Sequence, residues 1–364
     1  MNFRSTAVSH LSRRHLLAHS LRAPLALAAA VTMTACNKGG DTKAATDTTA
    51  SAGQTSSTKP FTIAVIGKAS TNPVFQAALY GAQAAAKEQS AKLHREVKIN
   101  WLTPPEIDGQ IQAQRIAEAV NEGADAILVS CADPGKVTGA INDAVTRGVP
   151  VMMFDSDAPQ SQRFAVYGTD DTLAGRNTMD ELAKLLGGKG KIGILAGNQN
   201  APNLQLRVKG VKDAAAKYPG ITVVNTFYHA ETPQDATAEV LRAMNAYPDI
   251  TGWAFIGGWP LFSRGLLTAI DTTKIKVVSI DALPEELAYV DKGVVPVLLA
   301  QPVFQWGYVG VNTIIDHVVF HKPVPEHMSM PMVRVTKDNL GTWARQLRDW
   351  KFTNVDPKFL ALPR

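Results

Sequence analysis

Residues 61–79 read FTIAVIGKASTNPVFQAAL, and the change of period inside this stretch decides the fold. Phe61, Ile63, Val65 and Ile66 form a short apolar run rich in β-branched residues, which predicts a buried strand. Gly67 ends the run, and residues 68–73 make a polar turn. From Val74 onward the apolar residues fall at helical spacing: Val74, Ala77, Ala78, Ala82 and Ala85. Pro73 suits the first helical turn, where its missing N–H has no intrahelical partner anyway, and Asn72 or Thr71 can cap. A strand that hands a polar loop to a helix is the first unit of an open α/β sheet, and such sheets collect ligands at the carboxyl ends of their strands. Asn72 and Phe75 are therefore candidate binding residues, although a cap and a packing role explain them equally well at this point.

The same rhythm continues downstream. Strands are predicted at residues 97–102, 126–130 and 149–154, with helices at 107–121 and up to 147 between them. It restarts with a short strand at 164–167 and then strands at 191–195, 221–228, 251–256, 275–280 and 294–300, separated by helices, with a last long helix at 303–320. Short connections argue a mostly parallel sheet, and the number of strands argues two doubly wound lobes. The short 164–167 strand breaks the regularity that a single (β/α)8 barrel would need.

Upstream of this body lies an export signal. Residues 1–36 combine a basic region around Ser12-Arg13-Arg14-His15-Leu16-Leu17, an apolar region at 25–31 too short to span a bilayer, and Met33-Thr34-Ala35-Cys36. The first motif is similar to a twin-arginine signal, the last to a bacterial lipobox whose cysteine is acylated. Residues 37–59 are Thr, Ala, Ser and Gly with scattered charge and cannot build a core; as a flexible coil they would span about 25 Å. The expected location is the periplasm or the outer face of the membrane, held there through Cys36. The formal charge of +5 resides mostly in Arg4, Arg13, Arg14 and Arg22 of the leader, so the body has no footprint for nucleic acid. The other cysteine, Cys131, ends an apolar strand and reads as a buried small residue without a disulfide.

The predicted strand ends and helix starts carry a coherent set: Asn72, Phe75, Ser130, Asp155, Arg207, Trp259, Asp281 and Gln301. Carboxylates accept from sugar hydroxyls, an Arg fork donates to two, and the C–H face of a sugar ring lies flat on Phe or Trp. The set suits a neutral polyol, with the acids and Arg207 partly neutralising one another.

These segments resemble the type I periplasmic sugar-binding proteins of ABC importers, with the ribose-binding pattern the nearest. The resemblance covers roughly residues 61–335 and rests on IAVIGKASTNPVFQAALYGAQAAA, VPVMMFDSDAP, GTDDTLAGR, LQLRVKGVKDA, AYPDITGWAFIGGW, IKVVSIDALPE and LLAQPVFQWGYVGV. It implies two lobes joined by three crossovers near 169–170, 301–302 and 330–332, so that 60–169 with 302–330 form one lobe and 170–301 with 331–364 the other. It further implies that Asn72, Phe75 and Asp155 line the first-lobe side, that Arg207, Asp281 and Gln301 are ligands from the second lobe and hinge, and that Ser130 occupies a position that sometimes carries a polar ligand. Three positions depart from the ribose pattern: Ser156 follows the strand-end Asp155, Val74 precedes Phe75, and Trp259 follows Gly258. The implied partners are a monosaccharide or polyol and a membrane permease, and the expected state is a monomer.

Other readings fit less well. Asp155 and Asp281 could form a glycosidase pair, but Arg207 nearby is expected to keep both ionised, and no nucleophile elbow or nucleotide fingerprint is present. His317 and His321 have metal-ligand spacing, with His327 beyond, yet no carboxylate or thiolate completes the set; no metal or other cofactor is expected. A sensor that docks on a chemoreceptor or kinase would show the same pocket.

Overall fold

A computed structural model describes residues 59–363, which belong to one compact unit. The leader, Cys36 and all but the last residue of the tether lie outside the described residues. In chain order the elements are β1 (Phe61–Ile66), α1 (Pro73–Leu93), β2 (Val97–Trp101), α2 (Gly109–Asn121), β3 (Ala126–Val129), α3 (Pro134–Thr146), β4 (Val151–Phe154) and β5 (Ala165–Gly168). The second series runs α4 (Asp171–Leu186), β6 (Lys189–Ala196), α5 (Pro202–Ala215), β7 (Gly220–Tyr228), α6 (Pro233–Ala246), β8 (Gly252–Phe255), β9 (Lys276–Ile280), α7 (Leu287–Asp291) and β10 (Val297–Ala300). The chain ends with α8 (Phe304–Val318), β11 (His327–Ser329), β12 (Val333–Val335), α9 (Leu340–Asp349) and α10 (Pro357–Leu360).

The strands form two open six-stranded sheets with one spatial plan: β11-β5-β4-β3-β1-β2 and β12-β10-β9-β8-β6-β7. Every pairing is parallel except β10 with β12. Two open sheets replace any barrel. The chain changes sheet three times: between β5 and α4, between β10 and α8, and between β11 and β12.

Helices cover both faces of the first sheet, so its central strands are apolar on both sides rather than alternating. Ile63 and Val65 face α1 and α8, whereas Ala64 and Ile66 face Ile116 of α2 and Ile141 of α3. Two helix pairs approach very closely through small residues. A methyl group at Gly81 of α1 would collide with the Phe304 carbonyl of α8, and one at Gly307 of α8 with the Ala78 carbonyl of α1. In the second lobe a methyl at Gly175 of α4 would strike the carbonyl of Arg207 on α5.

Three features were not anticipated. β11 and β12 have three residues each, too few to express a period of two. The stretch between the strands predicted at 275–280 and 294–300, whose pattern predicts one helix over 284–290, forms a 3-10 turn (Pro284–Glu286) followed by the short α7. α9 carries Leu340, Trp343, Ala344 and Leu347 on one buried stripe, an i, i+3, i+4, i+7 pattern lying beyond the last predicted helix.

Candidate functional site

β4 and β9 occupy matching places in the two sheets, and each ends on an aspartate in the left-handed region: Asp155 at φ 57° and Asp281 at φ 78°. Asp tolerates this conformation better than most residues, because its short side chain bonds locally. The Asp155 N–H donates to Tyr167 O of β5 and the Asp281 N–H to Leu299 O of β10, both at 3.0 Å, so neighbouring strands hold each turn in the same way. The two side chains line one cavity between the lobes, together with Lys68, Asn72, Phe75, Asn203, Arg207, Glu231, Trp259, Gln301 and Trp306, among others.

The first-lobe wall is aromatic. Phe75 of α1 lies edge-on to Phe154 at 6.2 Å between ring centroids and stacks with Trp306 of α8 at 6.1 Å. Asn72 does two things at once: its Oδ1 accepts from the Val74 N–H at 3.2 Å, capping α1, and its side chain lines the cavity. Ser130 is fully buried and does not line the cavity; its hydroxyl donates to Asp155 Oδ2 at 2.8 Å. Lys68, in the turn after β1, crosses the cleft: its ammonium lies 3.2 Å from Asp155 Oδ2 and donates to Asn203 Oδ1 of α5 at 3.3 Å. Asn203 Nδ2 returns a bond to Asp155 Oδ1 at 3.0 Å.

The second-lobe wall is a charged network. Arg207 donates through Nε to Asp171 Oδ1 at 2.7 Å, through Nη1 to Ile256 O at 3.1 Å and through Nη2 to Gln301 Oε1 at 2.8 Å. The close α4–α5 crossing at Gly175 is what brings Arg207 against Asp171 at the start of α4. Gln301 sits in the crossover between β10 and α8; its Nε2 donates to Asp281 Oδ1 at 2.8 Å, and its Oε1 also accepts from Thr169 of the crossover after β5 at 3.1 Å. Asp281 Oδ2 accepts the Gly258 N–H at 3.0 Å. Trp259 lines the cavity and meets His229 edge-on at 5.0 Å.

The electrostatics follow from burial. Burial opposes the Lys68 ammonium, but the charges of Asp155 and Glu231 and the hydrogen bond to Asp155 together outweigh it, and the group titrates above its ordinary range. Arg207 is likewise held above its ordinary range by Asp171 and Asp155 against the cost of burial. Burial pushes the Asp171 carboxyl up to about 6, with Arg207 acting against it. Asp281 is also raised by burial, with the charge of Arg207 and the bonds from Gln301 and the Gly258 N–H acting against it. Behind it, burial and the charge of Asp281 raise Glu286 well above the carboxylate range. Cys131 is buried and free, with its thiol pushed up to about 12 by burial. His317 stacks on Phe164 at 4.1 Å.

The sequence reading missed Lys68, Asn203, Asp171, Glu231 and Trp306. Asn203 precedes Arg207 by four residues, which places both on one face of α5, and that spacing was a usable signal. Glu231 follows β7 at the same carboxyl edge as the residues that were found. Asp171 reads as an ordinary first-turn acid, Lys68 as a turn residue and Trp306 as core, and only their tertiary partners distinguish them.

Residues 63–322 match the family of the periplasmic binding protein domain. The chain is 31% identical over 117 residues to the xylitol-binding protein of Mycolicibacterium smegmatis, a match spanning 32% of this chain and 34% of that protein. It is 23% identical over 276 residues to the ribose import binding protein of Bacillus subtilis, covering 75% of this chain and 87% of that one. An ABC transporter solute-binding protein from Burkholderia graminis, solved in complex with D-arabinose, superposes with a TM-score of 0.70 at 28% identity, over 77% of this chain and 96% of that chain.

Proposed function

Since this chain belongs to the periplasmic binding protein family, we propose that it captures a monosaccharide or related polyol between its lobes and delivers it to an ABC permease. The observation that carries this reading is the convergence of Asp155 and Asp281, from two different sheets, on one cavity with Arg207 between them. A hydroxyl both donates and accepts, so one polyol satisfies both kinds of group on the wall: the aspartates accept from it, and the free N–H groups of Arg207 and the unpartnered Trp306 Nε1 donate to it. Phe75, Trp259 and Trp306 supply apolar faces for the C–H side of a ring.

The cavity measures about 20 Å3, room for about one water. A sugar therefore enters only when the lobes part, and the three crossovers are the natural hinge. Gln301 belongs to one crossover and bonds Arg207, Asp281 and Thr169, so it links the ligand contacts to the joint that must move. Closure then removes water and strengthens each polar contact. Acylation at Cys36 and the tether at 37–59 would hold this body near a membrane while leaving it free to reach the permease. The ligand leaves unchanged, because the buried carboxylates are engaged by fixed donors rather than poised beside a reacting bond.

Calorimetry of the purified protein against pentoses, hexoses and polyols tests this directly. Saturable heat is expected with one subclass, the recovered sugar should be chemically intact, and Asp155→Ala or Arg207→Ala should remove most of the binding. Absence of heat across the whole panel, or turnover of the sugar, would overturn it.

A further inference from the structure

We propose that the captured polyol carries an amino group and that Glu231 selects it, so that the ligand is an amino sugar or amino alditol; this rests on the polyol reading above and narrows it. Four carboxylates, Asp155, Asp171, Asp281 and Glu231, surround the cleft against two cations, Lys68 and Arg207. Three of the four are provided for. Asp155 has Lys68, Asp171 has Arg207, and Asp281 has two direct donors in Gln301 and the Gly258 N–H. Glu231 has one, the Asn198 N–H at 3.2 Å on Oε1, and among the described residues it forms no salt bridge. Desolvation raises its carboxyl against the charge of Lys68, a cation already paired with Asp155 and lying beyond salt-bridge distance of Glu231.

Placement agrees with this role. Glu231 lines the inner cavity and also a second interlobe cavity of about 630 Å3, where Thr71 and Ile107 of the first lobe face Asn198 and His229 of the second. A ligand group resting on Glu231 thus lies at the edge of the inner site, with room for a substituent beside it. The Trp306 Nε1, buried and unpartnered on the inner wall, independently calls for an acceptor from a ligand. A hydroxyl supplies that acceptor, and an ammonium supplies the direct cation partner that Glu231 does not have among the described residues. An anionic sugar acid would add to the excess of negative charge and is disfavoured.

The test is calorimetric titration of the purified protein with three matched pairs: glucose and glucosamine, galactose and galactosamine, sorbitol and 1-amino-1-deoxysorbitol, with N-acetylglucosamine as a control that keeps the nitrogen but removes the charge. In the pair that fits, the amine should bind about tenfold or more tightly than its parent, the scale of a charge-assisted hydrogen bond. Glu231→Gln keeps an acceptor for the Asn198 N–H and should bring the amine down to the level of its parent; an unchanged thermal transition confirms folding. Parent sugars that bind as tightly as their amines overturn the inference and leave the polyol reading standing. An amine preference that survives Glu231→Gln, or is matched by the N-acetyl control, also overturns it. Heat with none of these ligands overturns the inference, and the polyol reading falls with it only if the wider panel of pentoses, hexoses and polyols is silent too.

Discussion

Asp155 and Asp281 stand at matching ends of β4 and β9 with the same backbone twist, yet they face different surroundings. On the first lobe the wall beyond Asp155 is built from Phe75, Phe154 and Trp306, in contact through faces and edges. On the second lobe the wall around Asp281 is a buried network running through Gln301, Arg207 and Asp171, with Glu286 behind it raised by burial and by the charge of Asp281. One folding plan therefore yields a wall that works mainly by shape around a single ion pair, Lys68 with Asp155, and a wall that works by an extended charge network. Dispersion falls off gently with small displacements and can be repacked, whereas a buried ion network leaves uncompensated charge as soon as one member goes.

The largest expected effect follows from that difference. Arg207→Ala strands Asp171 and should cost about 3–5 kcal/mol in denaturant unfolding, with loss of ligand binding. Lys68→Met in the first lobe leaves Asp155 with Ser130 and Asn203 as donors and should cost less than half as much. Equal losses in the two variants would break the asymmetry.

A pH series sharpens it. Asp171 titrates near 6 in the fold against an ordinary 3.8, so the fold binds its proton more tightly than the unfolded chain does. Its contribution therefore falls as pH rises from about 4 to about 6, by roughly 2–3 kcal/mol. Asp171→Asn should remove that slope, which appears as a gain of the variant relative to wild type across the same window. On the first lobe Arg163 holds Glu326 below its ordinary range, and the sign there is reversed.

The glycine crossings come next. Gly81→Ala and Gly175→Ala each force a helix pair apart and should each cost about 1–3 kcal/mol. Gly175→Ala should lose more ligand affinity at matched stability, because it displaces the backbone of Arg207 itself. The smallest effect is expected where the lobes' crossovers touch: Thr169→Val removes one neutral bond to Gln301 and should lower the melting free energy by about 1 kcal/mol.

Much of this comparison was legible in the chain. The apolar runs and the residues at their ends led to Asp155, Asp281, Gln301 and Trp259, because a strand's carboxyl edge is fixed by local pattern. Phe75 and Asn72 followed from the strand–loop–helix unit and both line the cavity. Ser130 was found by the same rule but supports Asp155 from behind, since position along a strand says nothing about which side chain another one covers. Lys68 escaped because a lysine in a turn ordinarily faces water; here its ammonium meets Asn203, 135 residues away in sequence.

The sequence alone determined the alternation of strands and helices, the open parallel sheets and the edge at which polar side chains gather. These depend on periodicity within a few residues, which the chain carries at every point. The tertiary structure alone decided which of those side chains meet, that Arg207 serves Asp171 as well as the cleft, and that Glu231 forms no salt bridge among the described residues. Pairing and desolvation are set by distances between residues far apart in the chain, and those distances exist only once helices such as α4 and α5 have packed against each other.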